Sequence, residues 1–258
     1  MNNLFDAPPP SWKRGTRKGR QVLSLFDKST LALRPWADAG FECHAYDLQH
    51  KGETTRGAIT THHADLFDEA TLETIRDRHA GKAAFVLAFP PCTDLSMAGA
   101  RWFAKKRAAN PTFMEEAAMR VRQIAELCDA LGAPYLIENP KTSMLNLLWR
   151  RHDHAFTPYE YGAYLNDEPS HPLWPHKIPE KDAYNKPTAL WTSHDFVMPP
   201  KRPVEPVWVE FLAGRYADPA NARKRRTSPL FFKTSAKVRS CTPRGFAAAV
   251  FASNFRES

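Results

Sequence analysis

Residues 83–96, AAFVLAFPPCTDLS, join an apolar run to a rigid stop. Residues 83–89 have the length and composition of a buried strand. Pro90 and Pro91 end it, because proline lacks the N–H that a sheet needs. Cys92 follows at once, so its thiol is expected to project from the strand's C-terminal end. In an open parallel sheet that edge is where ligands bind. A lone cysteine is also commonly a small buried core residue, and position by itself leaves both readings open.

Outward from this stretch, short apolar runs alternate with helix-like segments. The runs are residues 21–26, 42–48, 84–89 and 134–138, and residues 31–40 read as a helix after the first. The clearest helix starts at Thr112, with Glu115 three residues on to complete a capping box. Met114, Ala117, Val121, Ile124, Ala125, Cys128 and Leu131 then recur at helical spacing, and Gly132 and Pro134 stop the helix. Cys128 lies on that apolar stripe and reads as core. Strands alternating with helices predict an α/β fold with a parallel sheet.

The chain has 258 residues, room for one domain or one and a half. With 43% hydrophobic and 25% charged residues its composition is that of a globular protein. No run approaches the roughly 18 apolar residues of a membrane span and no leader-like segment opens the chain, so a cytoplasmic protein is expected. Net charge is +8, with the cations clustered. Lys13, Arg14, Arg17, Lys18 and Arg20 fall in a Pro-rich, basic stretch of residues 1–20 that reads as a flexible arm. Lys105, Lys106 and Arg107 form a second cluster, and Arg223, Lys224, Arg225 and Arg226 a third. Such clusters are commonly solvated faces, but three of them point to a polyanion, nucleic acid first.

Cys43, Cys92, Cys128 and Cys241 are scattered without a C-x-x-C pair, and His62 and His63 are adjacent; no metal site is expected. After Pro140 the chain becomes rich in proline and aromatics, as in HPLWPHKIPEKDAYNKPTALW, with little periodicity. Tyr159, Trp174, Trp191, Lys177 and Lys186 in this region could meet nucleic acid, although packing accounts for any one of them. A final helix is expected from Thr242-Pro243 onward.

A second strand end selects between the readings of Cys92. Tyr135-Leu136-Ile137 runs into Glu138-Asn139-Pro140, which puts a carboxyl and an amide on what should be the neighbouring strand. A thiolate beside a carboxylic acid suits attack on C6 of cytosine. The ring must be made electron-poor at N3, and the acid can supply the proton or hydrogen bond.

FPPCTDLS followed by IENP resembles the catalytic core of the DNA cytosine-C5 methyltransferase family, and RSCTPRGFA (residues 239–247) looks like its later R-x-x-T-P-R motif. With LFDKS, RPWADAGF and AYDLQ, the chain is most similar to a compact, phage-type branch. The resemblance spans residues 21–165 and 239–254. It implies a Rossmann-like, class I S-adenosylmethionine-dependent fold. Residues 21–165 would be the catalytic domain, 166–232 a small target-recognition or insert region, and 233–258 a C-terminal helix returning to the first. Cys92 would be the nucleophile, Glu138 would hold the base at N3 and the exocyclic amine, and Asn139 would order the loop. The substrate would be duplex DNA with the target base flipped out. Residues 97–112, with Arg101, Trp102 and Lys105–Arg107, would form a mobile loop closing over it, and Ser96, Arg223, Arg225 and Arg226 are further candidate DNA contacts.

For the donor, Phe26 would stack on adenine, Asp47 would bind the ribose, and Asp65 would accept from the adenine amine. Asp27, Lys28, Ser29, Thr30 and Pro90 would border the rest. Read without the resemblance, Phe26 is equally a core residue and the two aspartates are loop caps.

The sequence departs from the family in three places. Lys28 and Thr30 replace the two glycines of F-x-G-x-G. Tyr161-Gly162 starts the basic motif, but no Q-x-R-x-R follows. No G-N-S-V-type final helix is present. Lys28 is either solvated or pairs with an added anion on the donor. The resemblance therefore implies S-adenosylmethionine and methyl transfer, with two alternatives: a carboxylated analogue giving carboxymethylated cytosine, or an inactive nucleic-acid-binding relative.

Overall fold

The computed structural model describes residues 20–212, 224–232 and 234–255; residues 1–19 of the expected arm (residues 1–20) and Arg223 lie outside them. The strands are β1 (Gln21–Leu25), β2 (Glu42–Asp47), β3 (Thr54–Arg56), β4 (Ile59–His63), β5 (Ala83–Ala88), β6 (Tyr135–Pro140), β7 (His154–Phe156), β8 (Thr188–Thr192), β9 (Val209–Leu212) and β10 (Lys224–Thr227). The helices are α1 (Arg34–Asp38), α2 (Glu69–His79), α3 (Phe103–Ala109), α4 (Phe113–Leu131), α5 (Leu145–Leu148), α6 (Ala236–Arg239) and α7 (Arg244–Asn254). None is long and apolar enough to cross a membrane.

The first eight strands form one sheet in the order β3-β4-β2-β1-β5-β6-β8-β7. β4, β2, β1, β5 and β6 are mutually parallel, whereas β8 runs antiparallel to both β6 and β7. The chain leaves β1 toward β2 and β4, then returns to lay β5 and β6 on the other flank. The order therefore reverses between β1 and β5, and the crevice beyond their C-terminal ends is a topological switch point. This α/β architecture is compatible with a Rossmann-like fold.

Alternation along the strands feeds two cores. Leu23, Leu25, Val86 and Ala88 meet Ile75 of α2 and Val121, Ile124 and Cys128 of α4 on one face. Val22, Phe85, Leu87 and Leu136 meet Trp36 and the Phe246, Ala249 and Val250 stripe of α7 on the other. Phe246 stacks on Phe156 with centroids 3.8 Å apart, so the chain's end is packed onto the sheet.

Several sequence expectations change. Residues 31–40 form a 3-10 turn, Leu31–Leu33, before the short α1. Thr112 precedes α4 without the capping box; its hydroxyl instead joins the Asn110 side chain and Glu116, whose carboxylate also takes the Asn110 amide. A capping box does form at Thr157 and Glu160. Residues 97–112, expected as a mobile loop, hold a 3-10 turn, Met97–Trp102, and α3. Region 166–232 does not stand apart, because β8 lies inside the central sheet and pairs along the whole of its length with β6.

A polar cluster is sealed between β2, β4 and α2. His44, His62 and His79 are buried there with Tyr46, whose hydroxyl meets His79 Nε2 at 2.7 Å. Burial pushes the His62 imidazole down to about 4 and that of His79 to about 3.

Candidate active site at the sheet edge

β5 delivers residues 89–92 to the switch point, where Cys92 is a half-buried free thiol. Its loop is held from three sides. Asn139 Nδ2, fully buried at the end of β6, donates to the Pro90 carbonyl at 3.1 Å. The Leu95 N–H closes a turn onto the Cys92 carbonyl at 3.1 Å. Gly99 presses so closely on the loop that an added Cβ would lie 1.8 Å from the Thr93 carbonyl oxygen. An ion pair from Lys106 to Asp94 adds a tether from α3.

β6 sets Glu138 beside this loop. The register Glu138↔Leu190 and Pro140↔Thr188 carries the chain before β8 back over the same edge. The Lys141 N–H donates to the Pro187 carbonyl at 3.0 Å, next to Lys186. Lys186 Nζ thereby reaches 3.4 Å from Glu138 Oε1, with the two side chains only 14% and 13% exposed. Tyr184 is buried nearby; burial first, then the charges of Asp182, Cys241 and Glu138, push its phenol far up. Burial likewise raises the Cys241 thiol, which also feels Asp27 and Lys186. Cys241, within the tail motif, packs in one apolar cluster with Tyr184, Leu230 and Val238.

Arg244, the last residue of that motif, acts as a brace. Its Nη2 donates to the carbonyls of Glu168 and Pro169 at 3.0 and 3.1 Å. The Gly245 N–H donates to the buried Asp182 carboxylate at 3.0 Å. A Cβ on Gly245 would sit 2.5 Å from the Tyr161 carbonyl oxygen, which explains glycine there.

The loop after β1 solves its missing glycines with a side chain. Asp27 is buried and accepts from Ser24 Oγ, Ser29 N, Ser29 Oγ and Thr30 N, all within 3.0 Å. Burial pushes the Asp27 carboxyl up against these bonds, which pull it down. Thr30, at the second glycine place, takes φ +60° and Phe26 takes φ +59°, so two non-glycine residues carry left-handed backbone. Lys28 is exposed and donates to the Gln49 carbonyl, while His50 Nε2 donates to the Asp27 carbonyl at 3.1 Å.

The nucleoside-side candidates lie along the same rim. Phe26 is half-buried, 5.2 Å from the Phe67 ring centroid. Asp47 is buried and its Oδ1 accepts from Gln49 N at 2.7 Å; exposed Asp65 accepts from Phe67 N at 3.0 Å. Both therefore cap loops, and each uses Oδ1 to do so. Phe26, Asp47 and Asp65 suit a nucleoside, whereas the Ser29 and Thr30 amides already turn inward to Asp27 and offer no open glycine cradle.

Of the expected nucleic-acid contacts, Arg101, Lys105 and Arg107 are exposed, and Lys106 is half-buried on Asp94. Arg225 and Arg226 are exposed on β10, with Arg226 over the Trp208 ring at 4.7 Å. Ser96 is a correction: it is buried under the turn that leads to Gly99, too deep for a surface contact. Lys186 in its pairing with Glu138 and Asp27 as loop staple are the residues whose roles the sequence did not reveal. No protein-family model and no curated protein matches this chain.

Proposed function

We propose that this protein is a DNA cytosine-C5 alkyltransferase that uses Cys92 as nucleophile and S-adenosylmethionine as donor. One observation carries the reading: Cys92 follows β5, Glu138 lies near the end of the adjacent parallel strand β6, and Asn139 fastens the one to the other through the Pro90 carbonyl. The sheet order, with its single reversed strand among the last three, is compatible with the fold that the sequence resemblance implies.

In this reading Cys92, as a thiolate, bonds to C6 of a cytosine turned out of the duplex. The C5–C6 π pair shifts into the ring as Glu138, in its carboxylic-acid form and parted from Lys186, gives N3 its proton. Lys186, beside Glu138, supplies a cationic donor for the ring carbonyl. A bound sulfonium donor would supply an electrophilic carbon to C5, its carbon–sulfur bond breaking to leave a neutral thioether. Loss of the C5 proton to water then drives the electron pair back, breaks the C6–S bond and frees Cys92 as a thiolate, and N3 returns its proton to Glu138. Phe26, Asp47 and Asp65 would hold the donor's nucleoside, and the Asp27-stapled loop would border its amino-acid end.

DNA carrying 5-fluorocytosine tests the reading. Fluorine cannot leave C5 as a cation, so the C6–S bond persists after alkyl transfer and the protein stays attached. Incubation with S-adenosylmethionine should give an adduct that Cys92→Ala abolishes. Lys28, whose exposed ammonium donates to the Gln49 carbonyl, is the group that a carboxylated S-adenosylmethionine would engage, and that variant donor is run as a parallel arm. If Lys28→Gly leaves product mass and donor preference unchanged, the variant fails. No adduct with either donor defeats the alkyltransferase reading.

A further inference from the structure

We infer that His50 is a positioning residue that couples the two ends of the donor site, an inference that rests on the proposed reaction. The loop after β1 would border the donor's amino-acid end. Asp47, the last residue of β2, and the turn after it would hold the ribose. Backbone bonds from Phe26 and Asp27 to the Tyr46 carbonyl close the β1–β2 pairing, and beyond them two side chains cross-tie the loops. Lys28 of the first loop donates to the Gln49 carbonyl of the second. His50 of the second donates from Nε2 to the Asp27 carbonyl of the first at 3.1 Å. A carbonyl only accepts, so this contact places a proton on Nε2.

The two ties are unequal. Lys28 and Gln49 are exposed, where water competes for the bond, whereas His50 is only 8% exposed. His50 is also fixed within its own turn. Its N–H donates to the Asp47 carbonyl at 3.2 Å, and its carbonyl accepts from His63 Nδ1 at 3.0 Å. The carbonyl it grips belongs to a strained segment. Phe26 and Thr30, on either side, are left-handed without glycine, and such backbone persists only where its surroundings over-determine it. The Asp27 carboxylate fastens Ser29 and Thr30 from within, and His50 fastens the Asp27 backbone from the other loop. His50 thereby sets the spacing between the ribose side and the amino-acid side. A ligand that spans both loops gains from a spacing fixed in advance; one that touches a single loop does not.

Calorimetric titration with two ligands separates coupling from folding. S-adenosylhomocysteine, the product left by either donor, spans both loops. 5′-Methylthioadenosine keeps the nucleoside and lacks the amino-acid end. His50→Ala should weaken S-adenosylhomocysteine by about five- to tenfold, the scale of one hydrogen bond, and 5′-methylthioadenosine by less than about twofold. His50→Gln, whose amide nitrogen can stand where Nε2 stands, should recover most of the loss. If His50→Ala melts below the titration temperature, His50→Asn, which keeps an amide but shortens its reach, takes its place. Unchanged S-adenosylhomocysteine binding in the shortened variant overturns the inference. An equal loss of both ligands overturns it too, since His50 would then support the ribose side alone, and so does a His50→Gln protein as weak as the shortened one. Wild-type protein that binds neither ligand instead defeats the donor assignment on which the inference rests, so the wild-type arm tells the two failures apart.

Discussion

Lys186 Nζ stands 3.4 Å from Glu138 Oε1, and both groups are largely withdrawn from water. Withdrawing such a pair costs desolvation, and removing one partner leaves the other charge uncompensated. Lys186→Met should therefore destabilise the fold by about 1–3 kcal/mol and slow adduct formation. The double variant Lys186→Met with Glu138→Gln should regain most of the stability and none of the activity. Equal melting losses that simply add in the double variant would show that the two side chains are not coupled.

Asp27 replaces backbone freedom by a carboxylate that gathers four donors. Asp27→Ala strands the Ser29 and Thr30 amides and should cost about 2–3 kcal/mol. For a chain of this size that is a fall of roughly 5–10 °C in melting temperature. Asp27→Asn keeps an oxygen for the two amides and should retain more than half of the lost stability. Calorimetric titration with S-adenosylmethionine should show weaker binding in the order wild type, Asn, Ala.

Gly99 has no room for a methyl group, because the obstructing atom is backbone. Gly99→Ala should displace residues 92–94 and reduce adduct formation by at least tenfold, with an overpacking cost of about 1–3 kcal/mol. Thermal melting together with the adduct assay checks this, and normal rates with a normal melt would contradict the tight approach.

The sealed histidines make stability depend on acid. His62 and His79 have folded values below their ordinary 6.5, so the unfolded chain takes up protons first as pH falls. Their contribution is complete above about pH 6.5 and is lost as pH drops toward their folded values. Each adds a slope of up to about 1.4 kcal/mol per pH unit in that window. His79→Gln should flatten the acid limb of a denaturation series and lower stability at neutral pH.

Much of the sheet was legible because its central strands are short runs of mostly buried residues set between helix-like segments, and β1, β2, β5 and β6 fall within a residue or two of the expected spans. The Pro-Pro-Cys and Glu-Asn-Pro strand ends were legible for the same reason. β8 was not, since TALWT is short and embedded among prolines, and its partner lies some fifty residues earlier in the chain. The pairing of Lys186 with Glu138 was hidden in consequence, as only the β6–β8 register brings the two together. Asp27 was expected only to border the donor; that it staples the loop from within depends on its burial and its four donors, which no local pattern encodes. The missing capping box at Thr112 has a local cause: Asn110 competes for the threonine hydroxyl.

The reversed strand β8 also bears on how the protein is made on the ribosome. Residues 20–165 supply β1 to β7, yet until Thr188–Thr192 emerge, β6 has a bare flank of backbone donors and acceptors. β7 has no seat in the sheet either, since it pairs only through β8. The nascent chain must therefore hold the half that carries Cys92 and Glu138 unfinished until a late, Pro-rich segment arrives. A shortened product ending before β8 would expose a sticky edge and accumulate as aggregate, not as a smaller working unit.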